Sequence, residues 1–234
     1  MRNIINNKEL ISLLVRCQKE YDENLKNKKI MFIIEQKDRT ICKEEVYFGK
    51  KNFYHLTGII ALDKQNKELS PSNFYYLLSR GRIDEVKIKR RDDTTDLKLQ
   101  ILPQIMRIDR IANMIGDYSG NNIFLQTEKI AGNVTACIGF VRDGKLDTFV
   151  PNTALNIDIR TITNNRSKII AILKKEIKDN LYKDITYLKS NYEIEDILKS
   201  EEVNKNIDID NIYSYNKLVD KKIYNFYYSY AQKN

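Results

Sequence analysis

The chain has 234 residues, with 40 Lys+Arg against 32 Asp+Glu and a formal charge of +8. Apolar residues make up 42% and charged residues 31%, which excludes a wholly disordered chain, while 8 Gly and 3 Pro exclude collagen-like and linker classes. At about 150 residues per domain, this length fits one large domain, or one domain with an appendage.

Taken in chain order, the first expected element is a helix near the N-terminus, capped by Asn6 or Asn7, with Leu10, Leu14, Cys17 and Tyr21 on one face. That spacing makes Cys17 a core residue rather than a reactive thiol. Strands are expected at Lys29–Glu35 (KIMFIIE) and Ile41–Phe48, and the short segment Lys51–Ile59 closes this block. Ser70-Pro71 is a helix start, with Ser70 as cap, Pro71 at the first position and Gly81 as stop. Leu99–Ile115 reads as another helix, in which Pro103 is tolerable only in the first turn.

After Gly116 the period changes. Asn122–Thr127, Val134–Val141, Asp147–Val150, the alternating Leu155–Thr161, Ile169–Leu173 and Asp184–Leu188 are strand candidates, with Asp143-Gly144 in a hairpin turn. Helices early and strands late, with no Gly/Pro linker, predict one α+β domain over residues 1–190: helices packed on a twisted antiparallel β-sheet. Residues 191–234 form an acidic, then Tyr-rich, C-terminal helical extension. Its Tyr213–Tyr230 segment either docks on the core or binds a partner.

Cys17, Cys42 and Cys137 form no C-x-x-C pair, and one His cannot complete a zinc set, so no metal or cofactor is expected and a reducing cytoplasm is the simplest setting. The N-terminus has no signal-peptide pattern and no run of 18 apolar residues exists, so no membrane association is expected. Asp92, Asp93 and Asp96 read as a polar loop rather than a metal site.

His55 is the one histidine. Its position, flanked by apolar residues and followed by Gly58, fits either a half-buried strand histidine with a backbone partner or a general acid or base, since imidazole titrates near neutrality. Arg80, Arg82, Lys87, Lys89, Arg90 and Arg91 form one basic cluster, and Arg166, Lys168, Lys174, Lys175 and Lys178 another. Each fits a solvated face or a groove for nucleic acid. Asn152 and Thr153 could orient a phosphate or cap a turn.

The ordered set K-N-F-Y-H-L-T-G-I (51–59), N-V-T-A-C-I-G-F-V (133–141), V-P-N-T-A-L-N-I-D-I-R (150–160), I-I-A-I-L-K-K (169–175) and D-I-T-Y-L-K (184–189) resembles the fourth group of phage-associated nucleases named for the barnase, EndoU, colicin and RelE fold. The resemblance spans roughly residues 5–190. It implies that fold and metal-independent RNA cleavage through the ribose 2′-OH by a toxin or effector. It carries over His55, Thr153 and Lys174 as site residues. On that reading His55 is base or acid. Lys174 and one of Arg80 or Arg160 stabilise the phosphorane, Thr153 and Tyr187 orient the phosphate, and the basic cluster with Lys175 binds RNA. The competing reading is an inactive phage-encoded module that inhibits a host nucleic-acid machine, with residues 191–234 as its protein-binding element.

Overall fold

The computed structural model describes residues 7–120 and 126–212. Helix α1 (Asn7–Asn24) buries the expected stripe: Leu10, Leu14, Cys17 and Tyr21 are at most 3% exposed. Burial pushes the Cys17 thiol up to about 12, so it stays protonated and inert. Strands β1 (Lys28–Glu35) and β2 (Ile41–Phe48) form an antiparallel hairpin paired from Lys28↔Phe48 to Glu35↔Ile41.

The expected third segment of this block is instead a short helix, α2 (Asn52–Thr57). Then come β3 (Ile59–Leu62), α3 (Pro71–Ser79), a 3-10 turn, β4 (Lys87–Arg90), α4 (Thr95–Ile105) and α5 (Ile108–Ile111). Ser70 caps α3 as expected, its hydroxyl accepting from Asn73 N. The single helix expected over Leu99–Ile115 is divided: α4 ends at Ile105, α5 follows, and β5 (Met114–Tyr118) begins before Ile115. Pro103 lies in the last turn of α4, not the first; the helix stops two residues later, so few bonds are lost to the proline.

The remaining strands are β6 (Lys129–Gly132), β7 (Cys137–Asp143), β8 (Thr148–Leu155), β9 (Thr163–Glu176) and β10 (Asp184–Leu188). The hairpin turn at Asp143-Gly144 joins β7 to β8. The alternation over Leu155–Thr161 does not make a strand: the Asp158 side chain accepts from Arg160 N and starts α6 (Ile159–Ile162). Of the segment Asn122–Thr127, residues 122–125 lie outside the described ones and Gln126 and Thr127 are not strand.

The expected antiparallel sheet with helices on its face is overturned. The strands close into a seven-stranded mixed barrel in the order β1-β2-β8-β7-β6-β5-β9, with β9 returning to β1. The pairing of β2 with β8 is parallel and the others are antiparallel. The physical cause is the 14-residue β9. Lys168 pairs with both Glu35 and Met114, so this one strand bonds along two edges and leaves the ring no free edge. Beyond β5, β10 continues along the same edge of β9, where Ala171 pairs with both Ile33 and Leu188.

Closure also explains why KIMFIIE does not alternate. Ile30, Phe32 and Ile34 face a core shared with α1–α4. Met31 and Ile33 face a second apolar cluster, built with Ile170 and Leu173 and covered by Ile194, Ile197, Val203, Ile207 and Ile212. A strand buried on both faces reads as a continuous apolar run. The first part of the C-terminal extension, α7 (Ile194–Leu198) and α8 (Glu201–Asn204), supplies that outer cover. Tyr213–Tyr230 lies outside the described residues. No helix among the described residues is long and apolar enough to cross a membrane.

Candidate active site

The site begins at α2. Asn52 holds its start: the side-chain oxygen accepts from Gly49 N at 2.8 Å and the amide donates to Pro151 O on β8 at 2.9 Å. Gly58 ends it with φ +66, a left-handed conformation natural to glycine. Phe53, Tyr54, Leu56 and Thr57 are buried, so His55 is the one exposed residue of the helix. His55 is therefore a helical residue facing outward, not a half-buried strand residue.

It opens into a cleft of about 650 Å³ shared with Tyr54, Glu68, Ser70, Arg91, Lys98 and Asn152. Tertiary bonds set this group. Thr95 Oγ1 on α4 donates to Gly58 O at 2.6 Å, and Arg91 N donates to the same carbonyl at 3.2 Å. Glu68 Oε1 accepts from Tyr54 Oη at 2.9 Å and from Arg91 Nη2 at 2.6 Å, while Tyr54 Oη accepts from Ala61 N. Arg91 is thus held across the cleft wall by a carboxylate that is itself anchored.

The hydrogen bond from Arg91, and then that from Tyr54, holds the Glu68 carboxyl below its usual range, so it is ionised at neutral pH. Loss of hydration in the cleft, with Arg91 and Lys51 nearby, lowers the His55 pKa below its ordinary 6.5. The neutral imidazole therefore dominates at pH 7 and can accept a proton. Desolvation, opposed by the Asp92 carboxylate and reinforced by Arg91, also lowers the Lys98 pKa. A half-buried ammonium in the same cleft as a guanidinium is an arrangement that can hold an anion.

Gly58 also makes room for Lys98. A β-carbon at position 58 would stand 2.8 Å from Lys98 Cδ. Gly58→Ala is expected to destabilise the protein by about 1–2 kcal/mol through left-handed strain, and to push Lys98 aside. Urea unfolding measures the first effect and weakened substrate affinity the second.

Among the residues expected from sequence, the structure brings His55 together with Arg91 and Asn152. Asn152 accepts from Thr127 Oγ1 at 3.1 Å and donates to Gln126 O. The others do not line this cleft. Lys174 is buried and bonds Asp109 Oδ2 at 2.6 Å. Thr153 is 5% exposed, with its methyl against Gly139. Arg160 is exposed and paired with Asp158 at 2.7 Å, and Tyr187 packs against the main core from β10. Arg80 lies over the Tyr76 ring, Arg82 pairs with Glu85, and Arg90 pairs with Asp96 at 2.6 Å. Lys175 donates to Asn180 O and stands over the Tyr182 ring. Lys87 and Lys89 are exposed on β4. Sequence reasoning missed Glu68 and Lys98: a lone acid two residues before a helix cap, and a single lysine within an apolar helix, carry no signal of their own.

A second hollow, about 470 Å³, lies at the barrel mouth. Three cations line it: Lys129, paired with Glu44 at 2.8 Å and Asp117 at 3.2 Å, Arg166, which donates to the Arg160 and Thr163 carbonyls, and Lys37. That hollow holds no histidine, whereas the His55 cleft joins an imidazole to Arg91 and Lys98 and is the better candidate for proton transfer.

One cleft beside the mixed barrel thus brings together an imidazole, a guanidinium and an ammonium. The chain belongs to the phage-Barnase-EndoU-ColicinE5/D-RelE like nuclease4 family, which matches residues 13–191 and so spans every residue of that cleft. Its substrate is accordingly nucleic acid. Comparison with curated proteins and with solved structures found no match.

Proposed function

We propose that the chain is a metal-independent endoribonuclease that acts in the bacterial cytoplasm as a toxin or effector of phage or mobile-element origin. The observation that carries this reading is the exposure of His55 into one cleft with Arg91 and Lys98. Neutral His55 takes the proton from a ribose 2′-OH. The 2′-oxygen then bonds to phosphorus, and the bond from phosphorus to the 5′-oxygen breaks. Arg91 and Lys98 balance the charge that builds on the non-bridging oxygens, and the Lys98 ammonium, made more acidic by desolvation, protonates the departing 5′-oxygen. Products are a 2′,3′-cyclic phosphate and a 5′-hydroxyl. Glu68 positions Arg91.

The test is incubation of the full chain with RNA in excess EDTA. Retained cleavage, with cyclic-phosphate ends and no cleavage where the scissile ribose is 2′-deoxy, is the expected result. Loss of cleavage in EDTA, or equal cleavage of DNA, overturns the proposal.

A further inference from the structure

The strand β4 sorts the basic cluster by face. Ile59↔Arg90 and Ala61↔Ile88 are cross-strand pairs on one side, where Ile59, Ala61 and Ile88 join the main core. Ile60↔Lys89 and Leu62↔Lys87 are pairs on the other side, and both lysines are exposed. The bond from Arg91 N to Gly58 O carries the ladder one residue further. That places Arg91 on the side of Lys87 and Lys89, at the end of the row that enters the His55 cleft. Arg90, on the core side, is committed to Asp96.

Side chains two residues apart on a strand stand about 6.7 Å from one another, comparable with the separation of neighbouring phosphates in an extended strand. Lys87 makes one long bond to Asn66 Oδ1 at 3.3 Å, and Lys89 has no bonded partner among the described residues. Glu68, opposite Leu62, is the acid facing this row, and its charge is taken by Arg91. Glu85 is occupied by Arg82 and Lys64.

We propose that Lys87 and Lys89 form a phosphate track that receives an extended single strand of nucleic acid on one side of the scissile phosphate held at Arg91 and His55. This rests on the nuclease reading of the cleft and adds to it the substrate form and the side of approach. The row follows one backbone, and in-line attack by a 2′-oxygen needs a ribose released from helical stacking, which an extended single strand supplies and a duplex does not.

The experiment is equilibrium binding of a labelled unstructured RNA oligonucleotide, and of the same sequence as a duplex, to full-length His55→Ala across a salt series. For a single strand, each phosphate contact contributes about 0.7 to the slope of log affinity against log salt. Adding Lys87→Gln and Lys89→Gln should make the single-strand slope shallower by about 1.4. Lys145→Gln, an exposed lysine in the β7–β8 turn, should not change it. An unchanged slope in the double variant, an equal change in the Lys145 variant, or duplex binding as tight and as dependent on the two lysines would overturn the track. Cleavage by the unaltered chain is read separately. A slope change in a chain that cleaves nothing would support the track and remove the catalytic assignment.

Discussion

His55→Ala is expected to lower RNA cleavage by about 10²–10⁴-fold, the usual worth of a positioned proton-transfer group, with little change in stability. The second expectation holds because the ring is exposed and packs no core. His55→Gln should fail equally in catalysis, since an amide cannot take up the proton. The pH profile carries the sign. A base must be neutral, so activity should fall as pH drops through the His55 pKa, and that limb should lie below pH 6.5 because desolvation and the neighbouring Arg91 and Lys51 cations disfavour the imidazolium. Arg91→Gln removes one of these cations and should move the limb upward as well as weakening turnover. Cleavage retained in His55→Ala would end the assignment.

The second large effect concerns stability. Asp109 is fully buried, its Oδ2 accepts from Lys174 Nζ at 2.6 Å, and its Oδ1 has no hydrogen-bond partner among the described residues. Asp109→Ala would strand the Lys174 ammonium, itself 7% exposed, inside the protein. The expected loss is about 3–5 kcal/mol, the cost of leaving one buried charge unpaired. Joint replacement of Asp109→Leu with Lys174→Met should recover much of it, because a buried ion pair gains little over well-packed apolar side chains. Urea unfolding of the full chain measures both. The same pair separates two roles for Lys174. A catalytic lysine would lose cleavage with stability intact, whereas this lysine should lose stability first. A loss under about 1 kcal/mol in Asp109→Ala would contradict the pairing energy assigned here.

Several features were legible because they are local. The stripe Leu10, Leu14, Cys17, Tyr21 is a helical period, and those residues are the buried face of α1. Ser70-Pro71 is a cap followed by a residue with preset φ, and α3 starts there. Asp184–Leu188 matched β10 at both ends. Other features failed for equally physical reasons. The helix α2 has six residues and is held by Asn52 against Pro151, a bond across 99 positions that no local pattern carries. Alternation at Leu155–Thr161 lost to a side-chain cap at Asp158. The barrel was hidden because its closing pairs, such as Ile33 with Ala171, join distant segments, and period tells which face is buried but not which strand lies alongside.

The candidate site divides the same way. A single histidine draws notice in any sequence, and the order of short motifs around it pointed to the family that residues 13–191 match. Which cations stand beside it was a tertiary matter. Lys174 is close to a good guess by residue type, yet β9 turns it inward onto Asp109. Lys98 reaches the cleft because α4 packs over Gly58, where the missing β-carbon leaves space for its stem. Composition and local pattern determined the helix faces, the buried strands and the identity of the imidazole. The closed ring and the company that imidazole keeps were decided by long-range hydrogen bonding and packing, since charge and proximity act through space and not along the chain.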